Sequence, residues 1–431
     1  MAYDHQKGLF AEGRMADRFE SATALKILVG LVGLVIFSAI SVIWGQLAGL
    51  APMGEPGSVA ANDFSAFWAA GRLGLSEPLA VLDPAKLAAV QNWPGAGANT
   101  GPNAGAGTGM HTGAETYFPF AYPPAWLMMM LPLGALPYAV AWPLFVVVGL
   151  GAFAASLWAA LPSVPGARAS LTLAAIAAPV MLFSFVEGQT PLLWLALVLA
   201  ITTALFAGRP ILAGLLCGLV AMKPQLAPLV AIAVVAYALP RPALRLAIPA
   251  AFLSYAAVCL LPLLHTGSSY WVDWFGAVGD MAGRIAVAEN AWATMLPWYA
   301  ALRVAGIGHG LALALQSGVT VILAAAIAWL WWRPHIPAFL RLAGLLVAAP
   351  LAAPSAWYYE ALAFSTAAVF LAAARYDRTA LRRLHLILIW ALPGYLAPLG
   401  QVLPLPFVTA PLATLLLLGI LRDAKRGVAS E

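Results

Sequence analysis

Charged residues are scarce in this chain. Only 9% of its 431 residues are Asp, Glu, Lys or Arg, whereas 63% are hydrophobic. Soluble domains carry about 25% charged residues, so this composition excludes a soluble globular protein and indicates an integral membrane protein. The net charge of +5 is spread over chain ends and short loops, which indicates membrane topology. We therefore expect membrane lipids, and no nucleic acid, among its partners.

Cysteine is also scarce, and the motifs of several enzyme classes are absent. Cys217 and Cys259 both lie in apolar runs, where they provide neither a disulfide framework nor a metal-ligand spacing. The sequence contains no Walker motif, GxGxxG fingerprint, zinc-ligand spacing or serine triad. We therefore expect neither a metal nor a cofactor.

Long apolar runs recur from Lys26 to the end of the chain. A membrane-spanning helix needs about 20 mostly apolar residues, and these runs predict an all-α polytopic membrane protein with about 12 transmembrane helices and external interfacial helices. The predicted single transmembrane domain covers 26–421, between tails at 1–25 and 422–431. The predicted spans lie near 27–50, 137–160, 169–186, 190–207, 210–222, 225–239, 244–264, 311–332, 338–352, 357–374, 384–399 and 405–421.

Basic clusters between these spans predict the topology. The inner side of a membrane protein is enriched in Lys and Arg, which places both termini in the cytoplasm and the large loops 51–122 and 265–310 outside. This alternation requires a break at Lys223-Pro224-Gln225, which Pro224 favours because proline interrupts a helix. Within the first loop, the Gly-rich segment 94–114 has no apolar periodicity and predicts a flexible excursion.

The first external loop contains the stretch NDFSAFWAAGRLGL at 62–75. Phe64, Phe67 and Trp68 fall on one face of a helix, and such an aromatic face is typical of a helix at a membrane surface. Asp63 then has two interpretations. It is either a helix cap or a residue that faces the site enclosed by the other spans.

Three charged residues lie at breaks between apolar runs, and not in basic loops. Glu187, Lys223 and Glu360 all fall on the outer face in the predicted topology. They are either caps of turns in contact with water or parts of a site, because a charge near the membrane is costly unless it is paired or hydrated. Lys223 suits a phosphate, since an ammonium is a compact cation with three donors. Asp63 suits a general base.

Several motifs occur in an order that resembles a known family. From N- to C-terminus they read NDFSAFWAAGRLGL with LDPAKLAAVQ, FAYPP, GQTPLLWLALVL, GRPILAGLLCGLVAMKPQ and APLAAPSAWYYEALAF. Together they resemble the bacterial multi-pass glycosyltransferases of family 87, which include polyprenyl-phosphate-mannose-dependent mannosyltransferases. The resemblance implies a GT-C fold in the bacterial inner membrane, with the active site on the periplasmic side.

The resemblance also implies roles for individual residues. Asp63 matches the family's catalytic base, and Lys223 lies in its KPQ motif. The implied reaction is an inverting hexosyl or pentosyl transfer from a polyprenyl-phosphate-linked, mannose-like sugar to a lipid or glycan hydroxyl. Lys223 and Arg72 are then expected to bind the donor phosphate. The remaining expected substrate contacts are Gln189, Gln225, Tyr359, Glu360 and His265. Glu360 stands where the family commonly has aspartate, which lengthens the side chain.

Two other functions are compatible with the same pattern. A transporter or flippase of lipid-linked saccharides would also use broken helices and charges within the membrane. It predicts two halves with matching patterns, which this sequence does not show. A scaffold subunit with a degenerate site is the second alternative, and it predicts that the purified protein forms no glycosylated product.

Overall fold

The fold is taken from a computed structural model. It describes residues 62–91, 110–112, 115–161, 167–374, 376, 379–400 and 402–426. The predicted tail at 1–25, the predicted first span at 27–50 and most of the Gly-rich segment 94–114 lie outside the described residues.

The described residues form an α-helical protein with one small hairpin. Its α-helices are α1 (Asn62–Gly74), α2 (Pro84–Gln91), α3 (Pro124–Gly134), α4 (Tyr138–Ala160), α5 (Ala167–Ile176), α6 (Met181–Val186), α7 (Pro191–Phe206), α8 (Pro210–Leu219), α9 (Ala227–Ala238), α10 (Ala247–Leu260), α11 (Leu263–Thr266), α12 (Ser269–Val287), α13 (Glu289–Trp292), α14 (Trp298–Val304), α15 (His309–Trp332), α16 (Ala338–Ala352), α17 (Leu362–Ala373), α18 (Ala380–Leu396) and α19 (Pro406–Lys425). Short 3₁₀ helices cover Pro78–Leu82, Val220–Met222, Pro242–Leu244, Tyr358–Ala361 and Ala397–Leu399.

The hairpin consists of two three-residue strands. Strands β1 (Met110–Thr112) and β2 (Glu115–Tyr117) pair antiparallel, with Met110 opposite Tyr117. The hairpin precedes the aromatic segment that leads into α3. It is the only sheet among the described residues, so the predicted all-α class holds for them apart from this pair.

Four helical segments of the described residues are long and apolar enough to cross a membrane. They are Tyr138–Ala160, Pro242–Thr266, His309–Trp332 and Pro406–Lys425. Six further apolar helices have 10–17 residues, and several of these, such as α16 and α17, are almost entirely buried among other helices. The chain is therefore a membrane protein, and the total of about 12 spans stays a prediction.

The run 169–186 differs from the prediction of one continuous helix. The structure divides it into α5, which ends at Ile176, and α6, which begins at Met181. Pro179 lies between them, and a proline removes a backbone donor and clashes with the preceding turn. By contrast, the predicted break at Lys223 is present, since the helix before it ends at Met222 and α9 begins at Ala227.

Helix α1 is present as predicted, but its apolar face lies inside the protein. Phe64, Phe67 and Trp68 are buried, so the prediction that these rings anchor α1 in the membrane interface is wrong. The reason is the close docking of α1 on α3: a Cβ atom on Gly71 would lie 2.1 Å from the Met130 carbonyl oxygen. Two backbones this close leave no room for lipid, and the rings fill the space around the contact.

The second of the predicted external loops, 265–310, is mostly helical. In α12, Trp274 is buried against the α1 region and Trp271 is partly buried beside it. Val272 and Phe275 on the opposite side of α12 are exposed. Helix α12 also contacts the 3₁₀ helix Pro78–Leu82, so the two external loops pack on each other.

Candidate active site

The start of α1 is held by the turn between α6 and α7. The backbone N–H of Phe64 donates to the carbonyl oxygen of Glu187 at 2.9 Å. The side-chain amide of Gln189 donates to Asp63 Oδ2 at 2.5 Å. Residues 126 positions apart in sequence thus meet at this point. The Asp63 carboxylate is therefore oriented by a named partner, in addition to its place in the first turn of a helix.

Gly188 makes this approach possible. Its φ is +61°, a left-handed conformation that side chains with a Cβ rarely adopt. A Cβ atom at this position would also lie 2.6 Å from the Cβ of Phe64. Both constraints favour glycine, and they explain why the turn 187–190 can reach the start of α1.

The same turn contacts Lys223. Its ammonium group donates to Thr190 Oγ1 at 2.7 Å and forms an ion pair with Glu360 Oε1. Both charged side chains are nearly inaccessible, with 6% and 2% of their surfaces exposed. The ammonium also lies 5.6 Å from the centre of the Tyr359 ring. Burial of this kind requires charge pairing, because desolvation of a single ion costs several kcal/mol.

Glu360 is fixed from its other side by the segment that follows α16. Its Oε2 accepts a hydrogen bond from the backbone N–H of Trp357 at 2.7 Å. The hydroxyl of Tyr358 donates to Glu187 Oε1 at 3.0 Å. Three distant parts of the chain, at 63, 187–190 and 357–360, are thereby joined into one polar cluster with Lys223.

Two groups in the loops around this cluster show how strongly the surroundings disfavour extra negative charge. Burial and, to a smaller extent, the neighbouring charge of Asp63 together raise the pKa of the Glu187 carboxyl to about 8. Burial also raises the pKa of the Tyr122 hydroxyl, with additional contributions from Glu360 and Asp63. Glu187 is therefore mostly protonated at neutral pH, and Asp63 has no second full negative charge beside it.

A large apolar cavity opens beside the cluster. It has a volume of about 750 Å³, and its walls come from α3, α4, α7, α8 and α10. At one end it is lined by Tyr122, Thr190 and Lys223. The Tyr122 hydroxyl shares a hydrogen bond with the Thr190 side chain. Lys223 is the one charged residue among the described residues that line the cavity.

The structure brings together five of the eight predicted site residues. Asp63 and Gln189 are bonded to each other, and Lys223, Glu360 and Tyr359 form the neighbouring group. The sequence predicted only that these residues converge on one face of the membrane. It did not predict which of them contact each other.

Gln225 is less closely involved. It lies in the same turn as Lys223, two residues further along, and its side chain is partly exposed.

Arg72 and His265 lie at the other end of α1. His265 Nε2 hydrogen-bonds to the carbonyl oxygen of Gly74 at 2.7 Å, and Arg72 contacts the ring of Trp68. Arg72 lies nine positions after Asp63 in this helix, roughly 13 Å along the axis.

Sequence reasoning missed Tyr122, Thr190 and Tyr358. Thr190 has a weak signal, because it precedes Pro191 at the start of α7 and so falls at a helix end, where polar groups collect. Tyr122 lies in the FAYPP segment, which contributes to the family resemblance but yielded no predicted site residue. Tyr358 is next to Tyr359 in the sequence, and no sequence feature distinguishes the role of one tyrosine from that of the other.

The sequence model of glycosyltransferase family 87 matches residues 120–354 of the chain, which is more than half of it. The matched region includes Tyr122, the turn 187–190 and Lys223. It ends before Glu360 and begins after Asp63. No curated protein and no solved structure matches the chain.

Proposed function

We propose that this chain, which belongs to glycosyltransferase family 87, transfers a sugar from a polyprenyl-phosphate donor to a hydroxyl group on the external side of the membrane. Membership of the family makes the protein a membrane glycosyltransferase. The donor class, the roles of individual residues and the face of the membrane belong to the proposal.

The observation that carries the proposal is the apolar cavity with one ammonium group at its end. A polyprenyl chain needs an apolar volume, and its phosphate needs a cation. The cavity of about 750 Å³ supplies the first and Lys223 supplies the second. Ligand cavities commonly have this form, with apolar walls and a few polar groups that fix orientation.

Lys223 can bind phosphate although it is already paired. An ammonium group has three N–H donors, and Thr190 and Glu360 account for two of them. The third is directed to the donor phosphate in this proposal. The hydroxyl groups of Thr190 and Tyr122 adjoin the same end of the cavity and supply further polar contacts to the phosphate or the sugar.

The proposed reaction is a single displacement. The acceptor oxygen forms a bond to the anomeric carbon of the donor sugar, while the bond from that carbon to the phosphate oxygen breaks. The electron pair of the broken bond remains on the polyprenyl phosphate. Asp63 accepts the proton of the acceptor hydroxyl, and the anomeric configuration inverts. Gln189 holds Asp63 Oδ2 at 2.5 Å and thereby orients the carboxylate for this step.

The test is transfer by the purified protein in liposomes. We expect a labelled product from polyprenyl-phosphate mannose and octyl α-mannoside, with the product's new linkage inverted relative to the donor. We expect no product from a nucleotide-linked mannose. Movement of the lipid-linked sugar across the membrane without transfer would favour the transporter. If neither polyprenyl-phosphate mannose nor the nucleotide-linked mannose is consumed, the result supports a scaffold subunit.

A further inference from the structure

A buried glutamine joins the loop 265–310 to the end of α16. Gln316 lies in α15, one of the four long apolar segments, and only 1% of its surface is exposed. Its side-chain Oε1 accepts a hydrogen bond from the backbone N–H of Tyr299, at the start of α14, at 2.9 Å. Its Nε2 donates to the carbonyl oxygen of Leu351, near the end of α16, at 2.9 Å. One amide side chain therefore holds three helices together.

The two segments that Gln316 joins also pair directly with each other. Two backbone hydrogen bonds, of 2.9 Å and 3.0 Å, connect 294–296 to 356–358. Between these bonds, Met295 and Trp357 form an antiparallel bridge. We call 294–296 and 356–358 together the clamp. It fastens the loop 265–310 to the segment in which the site residues 357–360 lie.

Prolines end the pairing of the clamp on the side of α15. Pro297 follows the first segment and Pro354 precedes the second, and a proline has no backbone N–H to donate to a ladder. Beyond the prolines, the side chain of Gln316 connects the two segments in place of a backbone pair. Thr320, one turn later in α15, adds a hydrogen bond of 2.7 Å from its hydroxyl to the carbonyl oxygen of Ala352. The spacing of the two segments thus depends on side chains of α15.

The clamp contains the group that holds Glu360. The backbone N–H of Trp357 donates to Glu360 Oε2 at 2.7 Å, while Oε1 of the same carboxylate pairs with Lys223. The hydroxyl of the next residue, Tyr358, donates to Glu187 at 3.0 Å. Because the clamp fixes the backbone at 357, a displacement of the clamp moves the carboxylate that positions the Lys223 ammonium.

We propose that Gln316 is a positioning residue for the donor site and acts on it through the clamp, Glu360 and Lys223. The inference rests on the proposed function, since it takes the Lys223 ammonium as the cation for the donor phosphate. Gln316 does not line the apolar cavity. The competing role is that of a cap only, because the last carbonyl groups of a helix such as α16 have no donor within the helix.

The first test is the donor affinity of Gln316→Met. Methionine is unbranched and has a similar length, but its thioether is at most a weak acceptor. Isothermal calorimetry with polyprenyl-phosphate mannose in detergent should show an affinity about 3–10-fold lower than that of the unmodified protein, as for the loss of one or two ordinary hydrogen bonds. Unchanged donor affinity in the folded variant would overturn the proposal and leave Gln316 as a cap of α16.

Thr414→Val is the matched control. It removes the hydrogen bond of 3.0 Å from Trp298 Nε1 to Thr414 Oγ1, which ties the same loop to α19 through α14 and not through the clamp. The control should lower the thermal unfolding temperature but keep donor affinity within about 2-fold, since distant sites act independently. An equal loss of donor affinity in the control would show a general effect of loop stability and would overturn the proposal.

A second comparison tests the route through Lys223. The double variant Lys223→Met/Glu360→Gln lacks the ammonium, so Gln316 has no cation to position there. Adding Gln316→Met to it should lower the remaining donor affinity by less than about 2-fold, because residues that act through one another are not additive. A further loss as large as that in the unmodified protein would overturn the proposal.

A milder variant covers the case in which Gln316→Met does not fold. Thr320→Val has nearly the same shape and removes only the hydroxyl that donates to Ala352. Donor affinity should fall about 2–5-fold, and unchanged affinity in this variant would overturn the proposal.

The third test needs no substrate. Amide hydrogen exchange within 353–361 should be about 3–10-fold faster in Gln316→Met and unchanged in Thr414→Val. Equal exchange in Gln316→Met and the unmodified protein would overturn the proposal even if sugar transfer occurs. Faster exchange together with no donor binding by the unmodified protein would instead count against the proposed function and leave Gln316 as the residue that fixes the clamp.

Discussion

Two buried or partly buried ion pairs of this protein have similar chemistry and different surroundings. Lys223 and Glu360 pair beside a large cavity, with 6% and 2% of their side chains exposed. Arg382 and Asp423 pair at 2.5 Å between α18 and α19, where the arginine is 28% exposed and Arg422 lies 3.5 Å from the same aspartate. The second pair is partly exposed to solvent and has a second cation nearby, whereas the first pair is buried and has no second cation among its described contacts.

From this difference we infer that the Lys223–Glu360 pair serves ligand binding, whereas the Arg382–Asp423 pair serves stability alone. A pair at the protein surface contributes little, about 0–1 kcal/mol. A buried pair is often no more stabilising than apolar residues in its place, so its retention beside a cavity favours a role in binding. Asp63 extends this contrast, because its carboxylate joins the Lys223 region through Gln189 and Thr190.

The largest effect is expected at Asp63. Asp63→Asn keeps the size of the side chain and its ability to start a helix, but removes the base. We expect sugar transfer to fall roughly 10²–10⁴-fold, while the thermal unfolding temperature and donor binding stay near normal. Near-normal transfer by this variant would remove Asp63 from the chemistry and leave it as a helix cap.

The next largest effect is expected at Lys223. Lys223→Met removes a charge-assisted hydrogen bond, so donor affinity should fall about 10–100-fold. It also leaves Glu360 buried without its cation, which typically costs about 3–5 kcal/mol. Lys223→Met/Glu360→Gln removes that cost and should restore stability without restoring donor binding. Lys223→Arg should be partly tolerated, because a planar guanidinium replaces a compact ammonium.

These Lys223 variants separate binding from folding. Donor titration by isothermal calorimetry in detergent gives the affinity, and thermal unfolding gives the stability. Unchanged donor affinity in the well-folded double variant would show that Lys223 serves only to neutralise Glu360.

A smaller effect is expected from the titration of Glu187. Its pKa is about 8 in the folded protein, raised by burial and by Asp63, and near 4.3 in an unfolded chain. The folded state therefore holds the proton more tightly, and its stability falls as pH rises between these values. From pH 7 to pH 9 the loss is on the order of 1 kcal/mol.

The control for this titration is Glu187→Gln, which keeps an oxygen to accept the Tyr358 hydroxyl. Thermal unfolding of the variant should depend less on pH between 7 and 9 than that of the unmodified protein. Equal pH dependence of the two proteins would show that Glu187 is already ionised at neutral pH.

The smallest effect is expected at Arg382. Arg382→Met leaves Arg422 near Asp423, and the lost pair is partly exposed. We expect at most about 1 kcal/mol of destabilisation and no change in sugar transfer. A loss of transfer comparable to that of Lys223→Met would remove the contrast between the two pairs.

Local features of the chain were predictable from sequence. The helix at 62–74 follows from the spacing of Phe64, Phe67 and Trp68, and the break at Lys223 follows from Pro224. Both depend on a few neighbouring residues, because periodicity and proline geometry act within one or two helical turns. Charges at helix ends in an apolar chain likewise singled out Asp63 and Lys223 as candidate site residues, and their roles stay predictions.

The sequence by itself determined a helical membrane protein and the helix break at Lys223, since composition, periodicity and proline geometry decide these directly. Only the tertiary structure decided that Gln189 bonds to Asp63, that Lys223 pairs with Glu360, and that His265 bonds to Gly74 at the end of α1. The first of these contacts joins residues 126 positions apart. Such contacts depend on how whole helices dock, as in the close approach of Gly71 to α3 that buried the aromatic face of α1, and no local pattern specifies that docking.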